Sequence, residues 1–378
     1  MEKNVRKQIL SSVKKVVIKI GTGVLTTNNG DLDRTQVQKL AEQVVELREA
    51  GYQVVMVSSG AVGCGMRELD IRKRPTTLPE LQAVAAIGQC KLISSYDEVF
   101  KSYGYHAAQI LLTRDDFENR QRYLNMSNTI QTLFQLKTIP IVNENDSISV
   151  EEIAFGDNDA LSALVTNLLN AELLIVLSSV DGLHDNYPTS KRKAHVISLV
   201  ENVSQEIKQL AYDSKTLRGV GGMETKLEAA AVVTNAGEAM IIANGRTDKV
   251  LQKIFRHENI GTLFLPKQGK MANRKRWIGF TARSKGKIFI DEGAINALTK
   301  KGKSLLASGI KSVEGNFSKG DIISICNETN GLPFARGLTN YSSKEIEKVK
   351  GLNTFHIIKV LGYKLYDEVI HRNNMVLL

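Results

Sequence analysis

The chain has 378 residues, 42% of them hydrophobic and 24% charged, which is too long for one ordinary core. This composition excludes a disordered or collagen-like chain and points to two domains or one large α/β unit. Lysine and arginine number 50 against 40 aspartates and glutamates, a formal +10 that makes nucleic acid or a phosphate-rich molecule the first candidate partner.

The excess is unevenly placed. Residues 264–378 hold 20 basic and 9 acidic side chains, which leaves 30 and 31 for residues 1–263. The charge therefore belongs to the last third. Cys64, Cys90 and Cys326 are far apart and odd in number, so they suggest neither a disulfide framework nor a zinc site. The first twenty residues carry six Lys or Arg, and Lys14, Lys15 and Lys19 interrupt the only apolar run there, so no signal-peptide core is present. No uncharged stretch reaches the ~18 residues of a membrane span. These features read as a soluble cytoplasmic protein with no membrane partner.

In chain order, short β-branched runs alternate with longer amphipathic segments. The runs are 16–20 (VVIKI), 53–59 (QVVMVSS), 106–113 (HAAQILLT), 138–146 (TIPIVNEND), 172–179 (ELLIVLSS), 238–245 (EAMIIANG) and 261–265 (GTLFL). Helical patterns lie between them, among them 34–51, 78–100 and 158–171. Such repetition predicts a mostly parallel sheet sandwiched by helices, and runs apolar on both faces, such as LLIVL, suit its central strands. After Leu265 the texture changes to a basic connector and then to short strands and glycine turns, with one helical stretch at about 292–301. The expected domains are 1–265, a connector 266–284, a smaller β-rich domain 285–362 and a C-terminal tail 363–378.

The familiar nucleotide loops are absent. Gly302-Lys303-Ser304 looks like the end of a P-loop, but position 297 is Ala and the surrounding run reads as helix. Gly21-x-Gly23 and Gly63-x-Gly65 lack the third glycine of a dinucleotide loop.

Four other features offer phosphate or acceptor chemistry. Lys19 lies inside the first apolar strand, just before Gly21-Thr22-Gly23; a charge there is costly unless paired, and glycines at a strand end let backbone N–H groups approach an anion. The second strand runs into Ser58-Ser59-Gly60-Ala61-Val62-Gly63, at the strand end where open α/β sheets bind ligands; the alternative is a plain tight turn. Asn143-Glu144-Asn145-Asp146 and Gly156-Asp157-Asn158-Asp159 hold seven amide or carboxylate side chains among eight residues, enough for an ammonium group, a lysine or a metal ion. Helix capping is the alternative for Asp157 or Asn158. Finally, Gly219 to Lys226 leads into an alanine-rich helix, an arrangement that binds phosphate at a helix N-terminus. Lys226 opposes the helix dipole there, so a ligand phosphate explains it better than helix stability.

These segments (KIGTGVL, SSGAVGCG, NENDSI, FGDNDALSALV and GVGGMETKLEAA, in this order and spacing) resemble the glutamate 5-kinase branch of the amino acid kinase family. The stretch 290–325 resembles the PUA domain appended to many bacterial members. The resemblance implies transfer of the ATP γ-phosphoryl group to the side-chain carboxylate of L-glutamate, the first step toward proline, with Mg²⁺ carried mainly by ATP and no metal site of the protein's own.

It further implies that Lys19 and Lys226 are catalytic and that Asp159 orients them. Ser59, Gly60, Asp146, Asp157 and Asn158 would hold glutamate. ATP would contact Lys19, Gly21, Thr22, Ser178, Ser179 and the stretch Val220, Gly221, Gly222, Met223, Glu224, Thr225 and Lys226. The sequence departs from the family pattern at Gly23, Ser178, Ser179, Val220 and Glu224, all around the nucleotide; His184 to Pro188 also departs and takes no role.

Feedback inhibition by proline and a homo-oligomer, dimer or tetramer, are implied by the same resemblance. Within enzymes the alternatives are kinases acting on N-acetylglutamate, aspartate, carbamate or a nucleoside monophosphate. Outside enzymes the alternative is RNA binding through the PUA domain, against which Trp277, Phe289, Phe317, Phe334 and Tyr341 are too scattered to form a stacking platform.

Overall fold

The computed structural model describes residues 2–27, 30–149, 158–186, 194–212, 222–267, 269 and 271–378. The chain divides into two compact units, Met1–Lys270 and Met271–Leu378.

The first unit is built on β1 (Lys15–Ile20), β2 (Gln53–Ser58), β3 (His106–Leu112), β4 (Thr138–Glu144), β5 (Leu173–Ser178), β6 (Leu199–Val200), β7 (Ala239–Asn244) and β8 (Thr262–Phe264). Their order in the sheet is β3-β4-β2-β1-β5-β7-β8-β6. Every pairing is parallel except β7 with β8. The chain fills one side of β1 with β2, β3 and β4 before it starts the other with β5. The carboxyl end of β1 thus lies where the winding reverses, the place where open α/β sheets bind ligands.

Successive strand side chains point to opposite faces, and β1 separates its residues accordingly. Val16, Ile18 and Ile20 join a core with residues of helices Arg34–Glu49, Leu78–Ser102 and Val250–Phe255. Lys19 belongs to the other set, on the face covered by helices Asn158–Leu169 and Met223–Asn235. Ten of the twelve residues of Asn158–Leu169 are buried, as expected for a helix laid over a central parallel sheet. This face brings the chemistry together.

Two short-range features escaped the sequence pattern. Ser58 to Gly63 is not a plain turn: Gly60, at φ +106°, starts the helix Ala61–Glu68. A side chain at Gly60 would be strained in that left-handed conformation. The two-residue strand β6 is too short to carry a periodic signal.

The second unit carries β9 (Lys287–Ile290), β10 (Ile310–Glu314), β11 (Ile322–Asn327), β12 (Pro333–Leu338) and β13 (Met375–Leu377), ordered β10-β9-β11-β12-β13. Its core joins Ile288, Ile290, Ile323 and Ile325 with Leu298 of helix Glu292–Thr299 and Ile346 of helix Ser343–Val349. The latter helix adds to the single one expected; Ser342 and Glu345 form a capping box at its start. Gly302-Lys303-Ser304 follows the helix that ends at Thr299 and is not part of it.

Two expected boundaries also differ. Residues 271–284, read as connector, contribute buried Trp277 and Ile278 to this unit. Residues 363–378, read as tail, pack Val369 and Ile370 into its core and add β13 against β12. Alternating apolar residues over so short a length bury only with a partner strand, which is why they read as tail. Among the described residues no helix is long and apolar enough to cross a membrane.

Candidate active site

Three charged side chains meet at the carboxyl end of β1. Lys19 Nζ lies 2.6 Å from Asp159 Oδ1, and Lys226 Nζ lies 3.0 Å from Asp159 Oδ2. Asp159 is fully buried, and the two lysines are 3% and 5% exposed. Carboxylate and ammonium groups are almost never this buried unless paired, and here one carboxylate answers two cations. The set keeps one formal positive charge. Thr225 Oγ1 adds a contact of 3.0 Å to Asp159 Oδ2.

Local structure explains each position. Lys19 is delivered by the strand pleat, Asp159 by the first turn of Asn158–Leu169, and Lys226 by the start of Met223–Asn235. Gly222 caps that last helix without a side chain, and Lys226 Nζ reaches back to Gly222 O at 3.3 Å. The cation placed against the helix dipole is thus held by Asp159. Of the alternatives open to the amide and carboxylate clusters, Asp159 takes lysines.

Beside the lysines lie the expected nucleotide residues. Gly21 N–H donates to Leu177 O at 3.0 Å, and a Cβ on Gly21 would stand 3.3 Å from that oxygen and 3.8 Å from Lys19 Nζ. Glycine leaves this approach open. Thr22 begins the short helix Thr22–Leu25. A Cβ on Gly23 would lie 3.7 Å from Ser179 Cβ, so the loop after β1 and the end of β5 are neighbours. Ser178 ends β5 opposite Asn244. Met223, Glu224 and Thr225 form the first helical turn with Lys226, and Glu224 is exposed. Val220 and Gly221 lie outside the described residues.

On the other side of Asp159 is a polar pocket wall. Asn158 Nδ2 faces Ser58 O at 2.9 Å, Ser59 Oγ at 2.8 Å and Asn143 Oδ1 at 2.9 Å. Asn158 is the first residue of its helix and spends its side chain on bridging β2 and β4, not on capping. Ser59 is therefore joined to Asn158, and Gly60 follows Ser59 in the chain. Asp157, the other capping candidate, lies outside the described residues. Asp146 follows β4; burial first, and the Glu144 charge second, push its carboxyl up to about 6.

The sequence reading left out Asn143. It is 3% exposed, and among the described residues its Nδ2 has no hydrogen-bond partner; the same holds for Asn158 Oδ1. A buried donor and a buried acceptor left open beside each other suit a polar ligand. Asn143 stood within a recognised cluster, but nothing local separated it from its neighbours.

Among the described residues no group of three or more His, Cys, Asp or Glu side chains gathers to hold a metal ion. Both oxygens of Asp159 already face lysines.

Residues 14–244 match the amino acid kinase family, and residues 286–361 match the PUA domain. The chain is 48% identical over 364 residues to glutamate 5-kinase of Thermoanaerobacter sp. (strain X514), covering 96% of this chain and 98% of that protein. It belongs to the amino acid kinase family, in its glutamate 5-kinase branch. Glutamate 5-kinases of Syntrophotalea carbinolica and Geobacter sulfurreducens are 48% and 46% identical, over 98% and 99% of this chain and 99% and 100% of their own lengths. The eight-stranded unit is the amino acid kinase fold, and every site residue described above falls within the matched segment. The PUA match ends at 361, whereas the second unit continues to β13.

Proposed function

We propose that this amino acid kinase transfers the γ-phosphoryl group of ATP to the side-chain carboxylate of L-glutamate, giving L-glutamyl 5-phosphate, the first step of proline biosynthesis. The observation that carries the chemistry is the convergence of Lys19 and Lys226 on buried Asp159. Phosphoryl transfer demands positioning and charge neutralisation, since negative charge gathers on the equatorial oxygens as two anions approach. Two buried cations fixed by one carboxylate supply that. No general base is required, because a carboxylate with a pKa of ~4.3 is already ionised at neutral pH. Magnesium ion bound to the ATP phosphates would reduce their charge, and Lys19, Gly21 and Lys226 would hold the phosphoryl group.

In this reading Asp146 meets the ammonium of glutamate, and Ser59, Gly60, Asn143 and Asn158 meet its carboxylates. Asn158→Ala is expected to raise the glutamate KM by ~10- to 100-fold, the worth of a hydrogen bond to a charged group, with a smaller change in kcat. An unchanged KM in steady-state assays removes Asn158 from the acceptor site.

Asp146 sets a pH dependence. Its raised carboxyl holds a proton below about 6. Only the ionised form attracts the ammonium, so kcat/KM for glutamate is expected to fall roughly tenfold per pH unit below that value and to level off above it. A flat profile between pH 5 and 7 contradicts the assignment.

The acceptor is tested by ADP release with glutamate, N-acetylglutamate, aspartate, carbamate and a nucleoside monophosphate. Glutamate is the expected preference, and a preference for N-acetylglutamate overturns it. Proline has the same α-carboxylate and amine, and the Asp146 and Asn158 side of the pocket suits it as an inhibitor. A cytoplasmic homo-oligomer belongs to the same reading. For RNA, Trp277, Phe317 and Tyr341 are buried, which leaves them unable to stack on bases.

A further inference from the structure

Helix Leu78–Ser102 buries a stripe of Ala85, Leu92, Tyr96 and Phe100, and one polar residue, Gln89, stands in it at 5% exposure. Such a residue is retained in an apolar stripe when its amide is fully used. Gln89 Nε2 donates to Glu144 O at 3.3 Å, two residues before Asp146, and its amide favours the ionised form of the Asp146 carboxyl against the upward push of burial and Glu144. Its other end is determined as well. Gln109 Nε2, from β3, donates to Gln89 Oε1 at 3.2 Å, which turns the Gln89 NH₂ group toward the turn after β4.

The helix itself is locked at the right height. A Cβ on Gly88 would stand 1.7 Å from Ala61 O, and one on Gly65 would stand 1.9 Å from Val84 O. Helices Ala61–Glu68 and Leu78–Ser102 therefore cross in backbone contact, beside the Ser59-Gly60 turn. Among the described residues the charged groups that act on Asp146 are Glu144 on its own segment and Arg74, which precedes the crossing helix. Gln89 adds a neutral donor to that turn.

We propose that Gln89, oriented by Gln109, is a positioning residue that holds the Glu144 to Asp146 turn and keeps the Asp146 carboxylate in place for the acceptor's ammonium group. The inference rests on the acceptor reading above, and it treats Gln89 as acting through Asp146 without touching substrate. Removing the amide takes the hydrogen bond from Glu144 O, leaves the turn free to relax and withdraws a dipole that favours the ionised Asp146 carboxylate. A substituted carboxylate at position 89 accepts where the amide donates and adds a like charge.

The test compares wild type with Q89L and Q89E. Glutamate KM is expected to rise by ~10- to 100-fold in Q89L, with kcat at saturation and the KM for ATP within about twofold. The acid limb of kcat/KM moves to higher pH in Q89L and further in Q89E. An unchanged glutamate KM overturns the proposal, and so does a raised KM with an unmoved acid limb, since that outcome means packing alone. Q109L leaves Gln89 in the core but frees its amide to turn, so it is expected to shift the limb in the same direction by less, and it stands in if Q89L does not fold.

A second measurement needs no substrate. With carboxyl-labelled aspartate, the NMR titration of Asp146, assigned through D146N, is expected to move to higher pH in Q89L. An unmoved titration overturns the proposal whatever the acceptor is. A moved titration in a protein that transfers nothing to glutamate leaves Gln89 coupled to Asp146 and rejects the glutamate reading instead.

Discussion

Lys226→Ala is expected to lower kcat by roughly 10²- to 10³-fold, the cost of removing one preorganised group aimed at developing transition-state charge, while glutamate KM stays within a few-fold. The ammonium is 5% exposed and held 3.0 Å from Asp159, so its position is set before substrate arrives. Reorganisation at the moment of transfer is therefore small. The variant should fold, because Asp159 keeps Lys19 at 2.6 Å and no bare carboxylate remains in the core. Steady-state kinetics with varied glutamate and ATP checks the split. A kcat equal to wild type takes Lys226 out of the mechanism, and a loss confined to KM assigns it to ground-state binding.

Asp159→Asn should damage both activity and stability. The amide has nearly the same shape, but two buried ammonium groups lose a negative charge that both face. Breaking a buried ion pair from one side costs about 3–5 kcal/mol, because the remaining charge stays desolvated. The midpoint of denaturant unfolding of the kinase unit should fall accordingly, and kcat should fall by at least ~100-fold as the lysines separate. ATP supplies a replacement anion, so nucleotide should raise the midpoint of the variant by more than that of wild type. A variant with wild-type midpoint and kcat shows that Asp159 organises neither lysine.

The sequence made some of this site legible and hid the rest for identifiable reasons. Lys19 stood out because a charge within an apolar strand needs a partner. Lys226 stood out because a cation at a helix N-terminus is unfavourable. Neither observation named the partner, since Asp159 was one of seven amide or carboxylate side chains with equal local claims. Asn158 carried an ordinary capping signal, and only the proximity of Ser58, Ser59 and Asn143 shows its amide used elsewhere. Gln89 gave a fainter sign, a polar residue at helical spacing among apolar ones. In the second unit, β13 consists of three residues whose strand character depends on β12.

Residue pattern alone determined the alternation of strands and helices, the glycine loops at strand ends, the acidic and amide clusters, and the confinement of excess positive charge to the last third. These follow from local rules of periodicity, backbone freedom and desolvation. Tertiary structure decided which cluster member meets which lysine. Lys19 and Lys226 are separated by most of the kinase unit, and parallel strands bring such distant segments to one edge through crossover helices. The face of β1 that Lys19 occupies, and the two helices that cover that face, select Asp159; that selection is a long-range packing event, to which no local propensity contributes.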